Sequence, residues 1–410
     1  MGTRQRRTLS RSASFGLVAV VLALSLWASG APAMVYPVYL DQWHATPLLT
    51  TALFATYPVA LVLALILFGS LSDVIGRRRV ILAGMILVAC GTLVFVAAGS
   101  MAWLFAGRVL QGVGVGVALS AAAAALAEFD RSGRVERVSA VNTVATSSGA
   151  ALAILAGGGL VQYSPAPATA PFVVLLVVVL AVIVGAWFLP ESARTGTPWR
   201  PARPALPSRS RGTFFVGALT VASAFIMGGV FLALGAQIAR DLVGSDNALL
   251  TGAVLATWPI AGIPAAVIAR RVSARSAALG GGVLAAVGSL MLLPAGSDRS
   301  LGLFLAASII SGLGYGLLFS SGFGKVSASA TVPHRAGNLA AMYLVVYLAQ
   351  AGGAVGIGAL ATGRGLAAAL AIGMPVIALL CLGAAVANLS TSDGGTPSPP
   401  SLDPEPEDAH

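Results

Sequence analysis

PFVVLLVVVLAVIVGAWFLP, residues 171–190, runs for twenty residues without a single charge. A helix needs about 20 apolar residues to cross the hydrocarbon core of a bilayer, so the stretch has the length of one crossing. Its side chains are apolar on every face of a helical turn, and they lack the polar/apolar alternation of a barrel strand. Backbone polar groups in lipid must be satisfied within a helix or a closed barrel, and this pattern selects the helix.

Comparable stretches recur along the chain. Crossings are expected over residues 15–40, 47–71, 80–99, 101–127, 139–162, 171–190, 213–239, 247–269, 276–294, 301–324, 337–361 and 366–388. The composition agrees: of 410 residues, 57% are hydrophobic and 9% charged, and the mean hydropathy is +0.90. A water-soluble domain would have no polar surface to cover such a chain. The fold class is therefore an all-α integral membrane protein of twelve transmembrane helices, with the lipid bilayer as its solvent.

The net charge of +10 is explained by its placement. With both termini on the inner side, twenty of the twenty-four basic residues fall in inside segments; Arg240, Arg299 and Arg364 lie outside, and Arg108 lies within a helix. This is the positive-inside bias, and it calls for no nucleic-acid partner. The N-terminus has the three regions of a secretory signal peptide, RQRR, FGLVAVVLALSLWASG and Ala31-Pro32-Ala33. The apolar run continues through MVYPVYL, so the segment reads as an uncleaved first helix. Cys90 and Cys381 sit in hydrophobic spans and read as small core or lipid-facing residues rather than a disulfide or metal pair.

The long Pro/Arg-rich segment at 191–212 divides the crossings six and six. The domains expected are a bundle at 1–190, this cytoplasmic linker, a second bundle at 213–389 and a disordered acidic cytoplasmic tail at 390–410. The halves echo each other. Thr56-Tyr57-Pro58 answers Thr257-Trp258-Pro259, and VLQGVGVGVALS (109–120) answers IISGLGYGLLFS (309–320). Gly112, Gly114 and Gly116 thereby match Gly312, Gly314 and Gly316. A spacing kept over two hundred residues reads as a duplication, and the glycines read as close helix packing. GVGVG has no preceding strand, which excludes a phosphate loop. Two related bundles around a midplane site are the architecture of a carrier that rocks between two open states.

GSLSDVIGRRR (69–79) places one aspartate and three arginines between crossings two and three. Gly76 can take a backbone geometry costly for other residues, Gly69 would let a neighbouring helix approach, and Asp73 can accept from arginines or from a helix start. Together with Arg108-x-x-Gln111-Gly112 and Leu189-Pro190-Glu191-Ser192, this stretch resembles the signatures of the major facilitator superfamily, over residues 15 to 388. The resemblance implies two pseudo-symmetric six-helix bundles. It also implies a cytoplasmic gate in which Asp73 faces the start of the eleventh crossing, near Gly337-Asn338, with Arg77, Arg78 and an acid, Glu128 or Asp130. Arg78 and Arg79 have an alternative reading as topology anchors only.

Arg108 is the one ionisable side chain placed clearly inside a span. Two readings stand: it binds substrate or couples to protons, or it hydrogen-bonds free carbonyls and holds helices together. Gln111, Tyr36 and Tyr57 are further candidates for the cavity, the tyrosines because Pro37 and Pro58 break helix hydrogen bonding beside them. Asp41, near His44, is the nearest candidate for a proton carrier and also reads as a solvated loop acid. No catalytic constellation, metal set, cofactor motif or nucleotide-binding loop is present, which excludes an enzyme and an ATP-driven pump.

Among superfamily members the chain resembles the bacterial drug-efflux carriers. That implies a monomer in the plasma membrane, cytoplasmic termini, and export of amphipathic small molecules against protons. The fifth crossing lacks the Gly-Pro pair such antiporters carry, so an importer of a small metabolite, proton-coupled or facilitative, is the second expectation. The arginine-over-lysine bias and abundant alanine fit a GC-rich bacterium.

Overall fold

The computed structural model describes residues 8–191, 199, 201, 206, 211–244, 246–329 and 335–390. The acidic tail and most of the 191–212 linker fall outside the described residues. Among those described, the chain forms fourteen α-helices and one π turn. They are α1 (Arg11–Gly30), α2 (Tyr36–Trp43), α3 (Pro47–Phe68), α4 (Leu71–Ile75), α5 (Arg77–Val96), α6 (Met101–Phe129), α7 (Val135–Tyr163), α8 (Ala170–Trp187), α9 (Arg211–Ile238), the π turn Ala239–Val243, α10 (Ala248–Ala269), α11 (Ala274–Ser297), α12 (Leu301–Ala328), α13 (Arg335–Arg364) and α14 (Leu366–Ala387). Twelve of these are long and apolar enough to cross a membrane, all but α2 and α4.

The first crossing differs from the sequence expectation of one run over 15–40. α1 stops at Gly30, residues 31–35 make a turn, and α2 starts at Tyr36. The cause is local. Pro32 has no N–H to give the carbonyl of Ala28, four residues back. Ala33 donates instead to Gly30 (3.0 Å) and Val35 to Pro32 (2.9 Å), the tighter three-residue pattern.

The interior of each bundle is set by glycine. A Cβ at Gly112 would stand 2.6 Å from the Tyr57 carbonyl oxygen, and one at Gly116 2.4 Å from that of Leu61. In the second half, Gly312 faces the carbonyl of Trp258 at 2.3 Å and Gly316 that of Gly262 at 2.7 Å. On the other side of these helices Gly114 faces the Gly84 carbonyl (2.6 Å) and Gly314 the Ala285 amide (2.4 Å). The reverse contacts repeat as well. Gly84 and Gly281 lie 2.9 Å, by the same measure, from the amide nitrogens of Ala118 and Leu318 respectively. α6 therefore packs between α3 and α5 as α12 packs between α10 and α11, with backbones in direct contact.

The two bundles meet along two seams, α3 against α13 and α7 against α10. Among the described residues, two hydrogen bonds cross the seams at the end away from the arginine-rich loops, hereafter the far end. Leu48 donates its backbone N–H to the Thr362 hydroxyl at 2.9 Å, and Ala248 donates its own to Gln162 Oε1 at 2.7 Å. Gly158 lies against the Ala248 carbonyl and Gly252 against that of Ile154, 2.5 and 2.9 Å from an added Cβ.

Candidate functional site

Arg108 is fully buried. Its Nη1 donates to the carbonyls of Ala28 (3.2 Å) and Ser29 (3.3 Å), at the end of α1 where Pro32 interrupts the helical ladder. The guanidinium carbon stands 4.6 Å from the centre of the Tyr57 ring, in cation–π range. Tyr57 in turn donates its hydroxyl to the Ser25 carbonyl at 3.0 Å. Arg108 thus ties α6 to the break after α1 and to α3. Nε and Nη2 of Arg108 and the hydroxyl of Tyr36 have no hydrogen-bond partner among the described residues.

The structure brings Arg108, Tyr57 and Tyr36 together, all of them buried. It sends the other two candidates elsewhere. Gln111 donates to the Thr92 hydroxyl of α5 at 3.1 Å. Asp41 lies at the far end, largely open to water, and accepts from Arg240 of the second bundle at 2.7 Å, so it is a solvated acid with an ion-pair partner.

The 69–79 loop is an ion network at the opposite end. Gly76 has φ +101°, which a side chain rarely adopts, and a Cβ there would meet the Glu191 carboxylate. Arg77 pairs with Asp73 at 2.6 Å, reaches Glu128 at 4.0 Å and donates to the Ser72 hydroxyl. Arg78 and Arg79 both reach Glu191, at 3.5 and 3.8 Å. Both arginines thus share one acid. At Gly69 the three atoms nearest an added Cβ all belong to Leu65, one turn earlier in its own chain.

Of the two acids considered for the loop arginines, Glu128 is the one near Arg77. Asp130, with its side chain 1% exposed, pairs with Arg137 at 3.1 Å and accepts from the Ser132 hydroxyl and amide at 2.6 and 3.0 Å. The Ser132 hydroxyl, aided by Arg137 and by the Ser132 and Gly133 amides, holds the Asp130 carboxyl below the usual carboxylate range against the opposing effect of burial.

Trp258, Tyr315 and Tyr347 are recognisable in the sequence as aromatic residues of spans, but their assembly with Phe225 and Phe319 into one wall of the second bundle is not. Phe225 of α9 packs its ring against Tyr315 (5.8 Å), Phe319 (5.9 Å) and Tyr347 (5.5 Å), and Trp258 adds a fourth helix through Tyr315 at 4.7 Å. These rings come from α9, α10, α12 and α13, so no single window of sequence displays them. Phe225, Tyr315, Phe319 and Tyr347 are all half-buried. An apolar groove of about 500 Å³ runs along α3 from Ala52 to Phe68, between Val109 and Val113 of α6 and Val355 of α13.

A sequence profile described as Major Facilitator Superfamily matches residues 18–354, most of the chain. The chain belongs to the Major Facilitator Superfamily. It is thus a membrane transporter and not an enzyme. Among curated relatives, "Myo-inositol transporter 1" of Candida albicans (strain SC5314 / ATCC MYA-2876) is 30% identical over 126 residues, 31% of this chain and 23% of that protein. The match spans about a quarter of the relative's length.

Solved structures share the superfamily fold. A bacterial homolog to the human lysosomal transporter Spinster, in an inward-facing and unoccupied conformation, superposes with TM-score 0.71 at 15% identity, over 94% of this chain and 97% of that one. A POT family transporter in complex with 5-aminolevulinic acid gives 0.73 at 11%, over 92% and 95%. The nucleoside transporter NupG gives 0.74 at 11%, over 93% and 99%. At such identities the likeness concerns the fold alone.

Proposed function

We propose that this superfamily transporter moves small, amphipathic or largely apolar molecules by alternating access, as a proton-coupled efflux carrier. The observation that carries the reading is the closure of the seams at the far end among the described residues. Glycine contacts and hydrogen bonds join the halves at the far end through Gly158, Gly252, Gln162, Leu48 and Thr362. A carrier closed at one end presents its midplane site to the other. With the arginine-rich loops and both termini cytoplasmic, as the positive-inside rule orients them, this is the inward-facing state.

The substrate class follows from the walls. The half-buried rings around Phe225 offer stacking area and few hydrogen-bonding groups, and the only cation buried at mid-span among the described residues is Arg108. A pocket with apolar walls and few convergent polar groups suits an apolar or amphipathic ligand. The domain division at 191–212, a monomeric state and residence in a bacterial plasma membrane belong to the same reading. So does a role for the Asp73–Arg77–Glu128 network as cytoplasmic gate: Asp73→Asn is expected to change the balance of inside and outside cysteine labelling.

The match to a myo-inositol transporter favours a second reading, uptake of a polyol metabolite. Transport into sealed proteoliposomes under an imposed pH gradient separates the two, with lipophilic dyes and labelled myo-inositol in parallel. Uphill movement of the dyes that collapses with the gradient supports proton-coupled efflux. Inositol flux with no dye flux supports the second reading. Unchanged flux in Arg108→Ala would remove that residue from the substrate or coupling site.

A further inference from the structure

At the far end a single guanidinium bridges the two bundles. Arg240 belongs to the π turn that follows α9, in the second half, and its Nη1 donates to Asp41 Oδ2 (2.7 Å) and to the Pro37 carbonyl (3.2 Å), both on α2 of the first half. Its Nε donates to Asp241 Oδ1 at 2.8 Å. Both sides are built for this contact. On one, the break at Pro32 frees α2 from α1 and lets it lie across the bundle mouth. On the other, the π turn carries the side chains after Ile238 round from where an α-helix would leave them.

We propose that Arg240, shared between Asp41 of one bundle and Asp241 of its own, is the clasp that holds the far end shut and must release before the site can open there. This rests on the alternating-access reading above. The strength of the contact suits the task. Exposed ion pairs are weak singly, and the three groups are partly open to water, with side-chain exposures of 71% for Asp41, 34% for Asp241 and 32% for Arg240. A guanidinium with three acceptors in fork geometry adds direction to that modest strength. A gate between two states a few kcal/mol apart needs a bias of this size, since a deeply buried bridge would lock the carrier. The clasp joins two elements too short to cross the membrane, one from each half: α2, whose first residue Tyr36 stands at the Arg108 site, and the π turn that ends α9. Asp241 keeps the guanidinium aimed when Asp41 lets go, so re-closure needs no search by a long free side chain.

The test uses the full chain in detergent with Cys90→Ser and Cys381→Ala, and Thr51→Cys as reporter. Thr51 is fully buried and lies against Gly358 across the α3–α13 seam. A hydrophilic maleimide is expected to label this cysteine slowly in the parent and about tenfold faster in Arg240→Glu, because rate follows the open population. Adding Asp41→Arg to Arg240→Glu restores opposite charges and is expected to bring the rate back toward the parent. A misfolded Arg240→Glu chain would also label fast, but the swap would not repair it. An unchanged rate in Arg240→Glu, or a raised rate that the swap leaves raised, overturns the proposal. No substrate or gradient enters the experiment, so absent transport alongside a restored clasp would count against the carrier reading alone.

Discussion

Arg108 donates to the carbonyl of Ala28 at 3.2 Å, the acceptor that residue 32 would hold if it were not proline. The buried cation and the helix break are thus parts of one arrangement, with Pro32 leaving the acceptor and Arg108 filling it. A double-mutant cycle measures the link. Arg108→Ala is expected to lower thermal stability in micelles, and to lower it less when Pro32→Ala supplies the missing N–H. A coupling on the order of 1–2 kcal/mol follows from the exchange of one buried hydrogen bond for another. Additive effects would mean the two features are independent.

The matched glycines give matched costs. Gly114→Val and Gly314→Val each place a Cβ within 2.6 Å of backbone atoms in a neighbouring helix. Each is expected to cost about 1–3 kcal/mol by overpacking, with similar losses in both halves. Gly383 on α14 has nothing within 4 Å of an added Cβ. There, Gly383→Ala is expected to be neutral, or stabilising by up to about 1 kcal/mol through helix propensity. Unfolding temperatures of the three variants decide the comparison.

Gly158 supplies a wedge. A larger side chain would press on the Ala248 carbonyl, 2.5 Å from an added Cβ, at the α7–α10 seam and not within either bundle. Gly158→Leu is expected to keep the helical content and the melting transition of the parent while abolishing net transport in vesicles. Full transport would show that this seam need not close.

Asp130 sets a pH dependence at the α6–α7 loop. Its carboxyl titrates below the usual carboxylate range in the folded chain, because Ser132 and Arg137 favour the charged form. The folded state then binds fewer protons than the unfolded one across that interval, so stability rises with pH there. The contribution is complete above the unfolded value of about 4 and is lost as pH falls through the lower folded value. Melting curves taken between pH 7 and 3 should fall less steeply at the acid end for Asp130→Asn.

Much of this architecture was legible because lipid imposes a simple grammar. Runs such as 171–190 can only be helices, and the shared spacing around Gly112 and Gly312 shows that the halves repeat. The break at 31–35 was missed because the apolar run passes through it unaltered, and only the missing N–H of Pro32 marks it. Arg108 stood out as a lone charge, and hydrogen bonding to free carbonyls was one of its two readings; nothing local could show that the carbonyls would be those of α1. The clasp was hidden for a different reason. Asp41 and Arg240 are ordinary loop-end charges 199 positions apart, and only the meeting of the bundles makes them a pair. The role of Glu191 was likewise invisible until the 69–79 loop folded against the end of α8.

Paired spin-label distances test most directly whether the two bundles move against each other. Labels at Ser100 and Arg299 report the far end, and labels at Arg131 and Arg271 the arginine-rich end, all four positions being exposed and each pair spanning the two halves. When substrate or a pH change shifts the conformational balance, one distance should lengthen while the other shortens. Two distances that change together, or that stay fixed while substrate crosses the membrane, would contradict such movement.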